Sequence, residues 1–272
     1  MALVALLACT SQADGVDDSG PADATSTFAV AVLSGTETCS GTLIAPNLVL
    51  TARHCVSPDT GGAFVNCASD AFLAPGDPSA FKVSTSTTAL GLEDAPYAVS
   101  KILVPPATTF CGNDIALLVL GRNVPSGEAR LAVPALDPRA ATSYAATITA
   151  IGYGTTAPGK SDEGSRRRRD DVAIACVPGD TLRDCDPHDF GMTAQEIAMG
   201  DGRCEGDSGA GAYEADPSGA VAVIGVVSRS SIDGTSCTEA VYTRTDAFGD
   251  FIRTGVHEAA RRGGYLPPSW SL

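Results

Sequence analysis

Short runs of hydrophobic residues, rich in valine and isoleucine, recur along the chain between clusters of turn-forming residues. They have the length of β-strands, and several are nearly continuous, which is typical of strands buried on both faces or lining a closed barrel. The spaces between them leave little room for helices, so an all-β fold is predicted. The clearest runs are FAVAVL (28–33), NLVLTA (47–52), KILV (101–104), IALLVL (115–120), ATITAIGY (146–153) and VAVIGVVS (221–228).

One helix and two polar stretches complete the outline. A helix is predicted over about 246–262, where hydrophobic residues recur at helical spacing. Proline and glycine concentrate at 122–139, which indicates a connection between two halves, about 28–121 and 140–245. The stretch 155–170 has no periodicity and is predicted to be an exposed loop. Its four consecutive arginines are interpreted as a solvated run, with an anion site or a processing site left open.

The net charge of the chain argues against one class of binding partner. The 272 residues carry 18 Lys+Arg against 32 Asp+Glu, a formal net charge of −14. A field of this sign repels phosphates, so nucleic acid is excluded as a partner. With 44% hydrophobic and 18% charged residues, the composition is that of a folded chain.

The first nine residues resemble a truncated export signal. Leu6-Leu7-Ala8-Cys9 is similar to a bacterial lipobox, in which the cysteine is lipidated and tethers the protein to a membrane. Residues 10–27 are small and acidic, which predicts a flexible tether. We therefore expect an exported protein, either an outer-membrane lipoprotein of the bacterial envelope or an extracellular protein. An incidental cysteine, or a chain that starts further upstream, is the simpler alternative.

The cysteine count points to the same compartment. There are nine cysteines, and eight remain if Cys9 carries lipid. Eight paired cysteines predict four disulfides in an oxidising compartment, whereas free buried thiols in a cytosolic protein are the alternative. No CxxC pair occurs and the chain has only three histidines, so no metal site or cofactor is expected.

Three motifs carry the candidate chemistry. Thr51-Ala-Arg-His54-Cys55 follows a hydrophobic run, Asp114-Ile-Ala-Leu-Leu opens another, and Gly206-Asp-Ser208-Gly-Ala follows Cys204-Glu. Each motif alone has a simpler interpretation, such as a surface histidine or a tight turn. Together, in this order, they resemble the T-A-A-H-C, D-I-A-L-L and G-D-S-G-G motifs of trypsin/chymotrypsin-like serine proteases. The resemblance covers about residues 28–252 and includes Gly152-Tyr153-Gly154.

The resemblance implies a fold and a set of roles. The fold is two six-stranded antiparallel β-barrels with a C-terminal helix, within a protease domain at 28–262. Ser208 would be the nucleophile, His54 the general base and acid, and Asp114 the carboxylate that orients the histidine. The backbone N–H groups of Gly206 and Ser208 would bind the oxyanion.

The resemblance also implies part of the disulfide pattern. Cys39–Cys55 would bracket the histidine loop, and Cys204–Cys237 would join the nucleophile loop to the far wall of the specificity pocket. The pairs that are left over are Cys176–Cys185 and Cys67–Cys111.

The sequence departs from the family at the specificity pocket. Its base matches Gly202, so the acidic residue that selects lysine or arginine is missing there. Arg203 follows, Ser228 lines the substrate strand, and Ser230 and Ala240 replace wall residues that are commonly glycine. We expect a preference for small or medium uncharged residues before the scissile bond. One alternative is an acidic residue, attracted by Arg203. Another is that Asp201 or Glu239 supplies the pocket carboxylate, if the alignment is shifted by one residue.

A second departure concerns activation. No Ile-Val-Gly-Gly motif precedes Phe28, although Asp207, the acid that would pair with the new N-terminal ammonium, is present. We hypothesise that another cation serves Asp207. The predicted function is a secreted or lipid-tethered serine endopeptidase that acts as a monomer on proteins or peptides. The alternatives are a catalytically silent or zymogen-locked binding protein on the same scaffold and, with less support, an esterase.

Overall fold

The computed structural model describes residues 20–62, 65–215 and 220–272. Six antiparallel strands in the first half close a barrel in the order β1-β2-β3-β6-β5-β4. Their bounds are β1 Ala29–Ser34, β2 Glu37–Ala45, β3 Leu48–Thr51, β4 Phe81–Ser84, β5 Tyr97–Leu103 and β6 Ala116–Leu120.

The second half forms the other barrel. β11, β8, β9, β10, β13 and β12 follow one another, and pairing between β11 and β12 closes the ring. A two-residue strand, β7, lies outside this ring and pairs in parallel with β12, a feature that the sequence did not predict. The bounds are β7 Val133–Pro134, β8 Thr147–Gly152, β9 Arg167–Cys176, β10 Glu196–Asp201, β11 Gly211–Ala215, β12 Val221–Asp233 and β13 Ser236–Arg244.

The nearly continuous hydrophobic runs are explained by burial on both faces. Along β6, Leu118 and Leu120 point into the core of the first barrel. Their neighbours Leu117 and Val119 belong to a second cluster, shared with the other barrel and the C-terminal helix. Because successive side chains of a strand point to opposite faces, a strand between two cores needs hydrophobic residues at every position.

The predicted C-terminal helix is present as α1, Gly249–Gly263, after a short 3₁₀ turn at Asp246–Phe248. Ile252 and Val256 are fully buried in the cluster between the barrels. Arg261 and Arg262 lie in the last turn, where their positive charges interact favourably with the negative end of the helix dipole. No helix among the described residues is both long enough and hydrophobic enough to span a bilayer.

The stretch 155–170 is not wholly an exposed loop. β9 begins at Arg167, and Arg166 is only 1% exposed. Its guanidinium donates to the carbonyl oxygens of Asp23 (3.1 Å), Ala29 (3.1 Å) and Thr85 (3.2 Å). The expected solvated run of arginines therefore begins with a buried cation, which is stabilised by acceptors from distant segments.

Residues 20–27, expected to belong to the flexible tether, instead lie against β9. Asp23 N donates to Arg166 O (2.8 Å), and Arg168 N donates to Pro21 O (2.9 Å). Asp23 and Ser26 are buried. Backbone hydrogen bonds hold this segment even though it has few hydrophobic residues. Cys9 and the lipobox-like segment lie outside the described residues.

The described residues contain four disulfides, and they join the pairs expected from the sequence. Cys39–Cys55 and Cys67–Cys111 lie in the first half, and Cys176–Cys185 and Cys204–Cys237 in the second.

Candidate active site

His54 sits in a tight turn directly after β3. Val56 N (2.9 Å) and Ser57 N (2.8 Å) both donate to Arg53 O, which closes the turn. The disulfide between Cys39 and Cys55 ties the turn to β2. The histidine is therefore held by its neighbours on both sides, with its side chain 21% exposed.

Asp114 precedes β6 and is completely buried. Its Oδ1 accepts a hydrogen bond from His54 N (2.9 Å), and its Oδ2 lies 2.7 Å from His54 Nδ1. Ser228 Oγ donates to the same Oδ2 (2.7 Å). Burial by itself would raise the pKa of Asp114, but the charge of His54 and these hydrogen bonds outweigh it and hold the pKa below its usual value. The carboxylate is therefore ionised at neutral pH.

The carboxylate also determines the state of the histidine. Burial would lower the pKa of His54, but the charge and hydrogen bond of Asp114 outweigh it, so that the net shift is upward. Because an ionised carboxylate only accepts hydrogen bonds, the proton of the neutral ring lies on Nδ1. The lone pair of Nε2 is then available to accept a proton.

The loop that carries Ser208 is bound to the first barrel through Ser40 of β2. Ser40 N donates to Ser208 O (2.7 Å), and Ser40 Oγ donates to Gly206 O (2.8 Å). Cys55 Sγ lies 3.6 Å from Ser208 O, so the loop lies beside the His54 turn. The motif TARHC and the motif GDSGA thus meet in space. The sequence motifs did not single out Ser40, because its role depends on a loop 166 residues away.

Two glycines make the turn around Ser208 possible. Gly206 and Gly209 have φ angles of +92° and +82°, a region that favours glycine. A Cβ atom on Gly209 would also overlap Thr51 Oγ1 and Ser40 O.

This turn leaves two N–H groups unused. Asp207 N, Gly209 N and Ala210 N donate to backbone carbonyls. In the part of the chain that the structure describes, the N–H groups of Gly206 and Ser208 have no acceptor. The two groups flank Asp207, and they are free to bind an oxygen atom that carries negative charge.

Asp207 is buried under the same loop. Its Oδ1 accepts from Gly154 N (2.9 Å) and its Oδ2 from Cys204 N (3.3 Å). Burial raises the pKa of Asp207, and the charges of Arg203 and, more weakly, Arg167 act in the opposite direction. The net shift of the Asp207 pKa is upward, so the hypothesis that another cation serves Asp207 stays a prediction.

The residues expected to line a specificity pocket lie together, and most of them are buried. Arg203, Ser228 and Ala240 are buried, and Ser230 is half-buried. Arg203 N donates to Ser230 Oγ (3.1 Å), and Arg203 Nε donates to Gly202 O (2.9 Å).

Groups of potential metal ligands in the described part of the chain do not suit a metal. In each, two of the three members are cysteines joined in a disulfide, which cannot act as thiolate ligands. These groups are Cys39, His54 and Cys55, and Cys204, Glu205 and Cys237.

Comparison with known proteins agrees with this geometry. A family model described as Trypsin matches residues 18–252. Proproteinase E of Bos taurus is 31% identical over 232 residues, which cover 79% of this chain and 82% of that protein. Among solved structures, the human heparin binding protein superimposes with a TM-score of 0.61, covering 88% of this chain and 96% of its own, at 19% identity. At that identity the likeness shows the fold alone.

Proposed function

The chain belongs to the trypsin family, and from that premise we propose that it is an active serine endopeptidase with Ser208, His54 and Asp114 as its catalytic residues. The observation that carries the proposal is the buried Asp114 carboxylate, which accepts hydrogen bonds from both the main chain and the ring of His54. This arrangement directs Nε2 of a neutral imidazole away from the carboxylate, as a general base requires.

In the proposed reaction, Ser208 Oγ attacks the carbonyl carbon of the scissile bond and gives its proton to His54 Nε2. The N–H groups of Gly206 and Ser208, free of other acceptors, bind the negative oxygen that develops. His54 then gives the proton to the leaving amine, and an acyl-enzyme on Ser208 remains. Water, activated by His54 in the same way, hydrolyses the ester and restores the serine.

Asp207 has a supporting role in this proposal. Its carboxylate accepts the N–H groups of Gly154 and Cys204, so it connects the Ser208 loop to the end of β8. Burial raises the pKa of this carboxyl overall, although the charges of Arg203 and Arg167 oppose that rise. We infer that the two hydrogen bonds of Asp207 hold the Gly206 and Ser208 N–H groups in place.

The remaining features of the proposal concern the protein's location. Four disulfides favour an exported protein, since disulfides persist in oxidising compartments. We propose that the protease domain, about 28–262, acts as a monomer on proteins or peptides. Lipidation of Cys9, the tether that it would anchor and an outer-membrane location are proposed from the sequence alone.

Covalent labelling tests the proposal directly. The purified, disulfide-bonded protein would be treated with a fluorophosphonate probe, and the labelled peptide identified by mass spectrometry. We expect one label on Ser208, none on the Ser208→Ala variant and full labelling of Ser79→Ala, which alters an exposed serine far along the chain. Digestion of an unfolded protein substrate then separates a peptidase from an esterase. A folded sample that is not labelled would contradict the proposal and favour the silent or zymogen-locked alternative.

A further inference from the structure

The space beside Ser208 is bounded by two segments of the second barrel. One segment is Gly202–Cys204, which leads into the Ser208 loop, and the other is Ser228–Ser230 on β12. Ser228 contacts Asp114 through its hydroxyl, so this second segment lies next to the candidate catalytic residues. A substrate side chain that precedes the scissile bond would have to enter between the two segments.

We propose that Arg203 and Ser230 close this space, so that the enzyme cleaves after glycine, alanine or serine and rejects larger residues. The inference rests on the proposed function, because it concerns the substrate of the same site. Its direct support is the hydrogen bond from Arg203 N to Ser230 Oγ, at 3.1 Å. Because this hydrogen bond joins the two walls, we infer that no gap for a long side chain remains between them.

The base of the space is closed as well. Gly202 packs on the backbone of the opposite strand, β13, so tightly that a Cβ atom would overlap the Cys237 carbonyl group and Thr238 N. Ala240, also on β13, is completely buried and pairs with Ser230 across the sheet. The backbone at Gly202 therefore packs directly on the backbone of β13, at the position where an open pocket would have its base.

The side chain of Arg203 is buried beside Gly202. It is 4% exposed, and its Nε is hydrogen-bonded to Gly202 O at 2.9 Å. Its positive charge opposes the upward pKa shifts of Asp207 and of the buried Tyr242, so the guanidinium faces the protein interior. This orientation argues against Arg203 as a partner for an acidic substrate residue, the alternative left open by the sequence.

The consequence is a strong dependence of rate on side-chain size. A protein interior is close-packed, so an extra group can enter only if its neighbours move. Discrimination by one methylene in a hydrophobic pocket is typically about 10–200-fold. We expect kcat/KM for alanine before the scissile bond to exceed the values for leucine, phenylalanine, lysine and glutamate at least about tenfold.

The test uses fluorogenic peptides that differ only in the residue before the scissile bond, with active enzyme counted by fluorophosphonate labelling of Ser208. Ser230→Gly removes the hydroxyl that joins the walls, and we expect kcat/KM for leucine relative to alanine to rise at least about fivefold. Arg203→Ala removes a larger side chain, and we expect kcat/KM for phenylalanine relative to alanine to rise. Ser231→Gly is the control, because it makes the same substitution at the next, exposed position of β12. It should leave the relative kcat/KM values of the peptides unchanged.

The outcomes separate this inference from the proposed function. Labelling of Ser208 together with efficient cleavage after large residues would overturn the closed space and leave the peptidase in place. An unchanged profile in both Ser230→Gly and Arg203→Ala, at full labelling, would do the same. Absence of labelling in the folded parent protein would instead remove the proposed function, and this inference with it.

Discussion

Loss of the Ser228 hydroxyl should destabilise the protein by an amount that the structure specifies. Its Oγ donates to Asp114 Oδ2 at 2.7 Å, and both residues are buried. A hydrogen bond to a charged group contributes about 1.5–3 kcal/mol, whereas one between neutral groups contributes about 0.5–1.5 kcal/mol. We expect Ser228→Ala to lower the free energy of unfolding at pH 7 by about 1.5–3 kcal/mol, because the ionised Asp114 loses one of its donors.

A double-mutant cycle identifies the charge as the cause. In an Asp114→Asn background the acceptor is neutral and of the same size, so Ser228→Ala should cost only about 0.5–1.5 kcal/mol. The coupling energy between the two positions is then about 1 kcal/mol, the difference between the midpoints of the two ranges. Urea unfolding of the parent, the two single variants and the double variant measures it.

Ser84→Ala is the matched control. Ser84 is also completely buried, but its hydroxyl donates to a backbone carbonyl, Asp94 O, at 2.8 Å. Ser84→Ala should lower the free energy of unfolding by the same amount in the parent and in the Asp114→Asn background. A Ser228–Asp114 coupling energy of zero, or a Ser228→Ala loss no larger than that of Ser84→Ala, would refute the assignment of an ionised Asp114 in this network.

Three further predictions concern other parts of the molecule. Because the pKa of His54 is raised above its ordinary value of 6.5, kcat/KM should rise with pH along a limb centred above 6.5; a limb at or below that value would contradict the role of its carboxylate partner. Gly154→Ala should destabilise by about 1–3 kcal/mol or more, since its Cβ would lie 2.5 Å from the Cγ atom of the acid before the nucleophile. Gly127→Ala, in open space, should change urea unfolding by less than about 0.5 kcal/mol, and equal effects would disprove the steric argument. Arg166→Met should cost about 3 kcal/mol or more, because three buried carbonyls each lose a charged donor; a loss as small as that of the exposed Arg261→Met would contradict this.

The hydrophobic pattern was sufficient to locate strands and the helix. All six runs named from the sequence overlap strands of the structure, and α1 lies within about three residues of its predicted start. These predictions succeed because burial on both faces leaves a continuous hydrophobic run, which is a local property of the chain. β7 could not be found in this way, since it has two residues, one of them proline, and exists only through its pairing with β12.

The motifs likewise identified candidate catalytic residues, because each is a short stretch of chain. The tertiary structure brings these residues together. His54 and Asp114 are 60 residues apart, Ser228 is 114 residues beyond Asp114, and Ser40 holds a loop 166 residues away. The strand register of the two barrels brings these distant residues together in space, and no local pattern of the sequence encodes that arrangement.

Charged residues show most clearly what the sequence by itself determined and what it did not. It established that Arg166 and Arg203 are present, and it placed one in a solvated loop and the other beside a pocket. The tertiary structure buried both. The physical reason is that burial of a cation depends on acceptors and opposite charges from distant parts of the chain, which only the folded structure brings together.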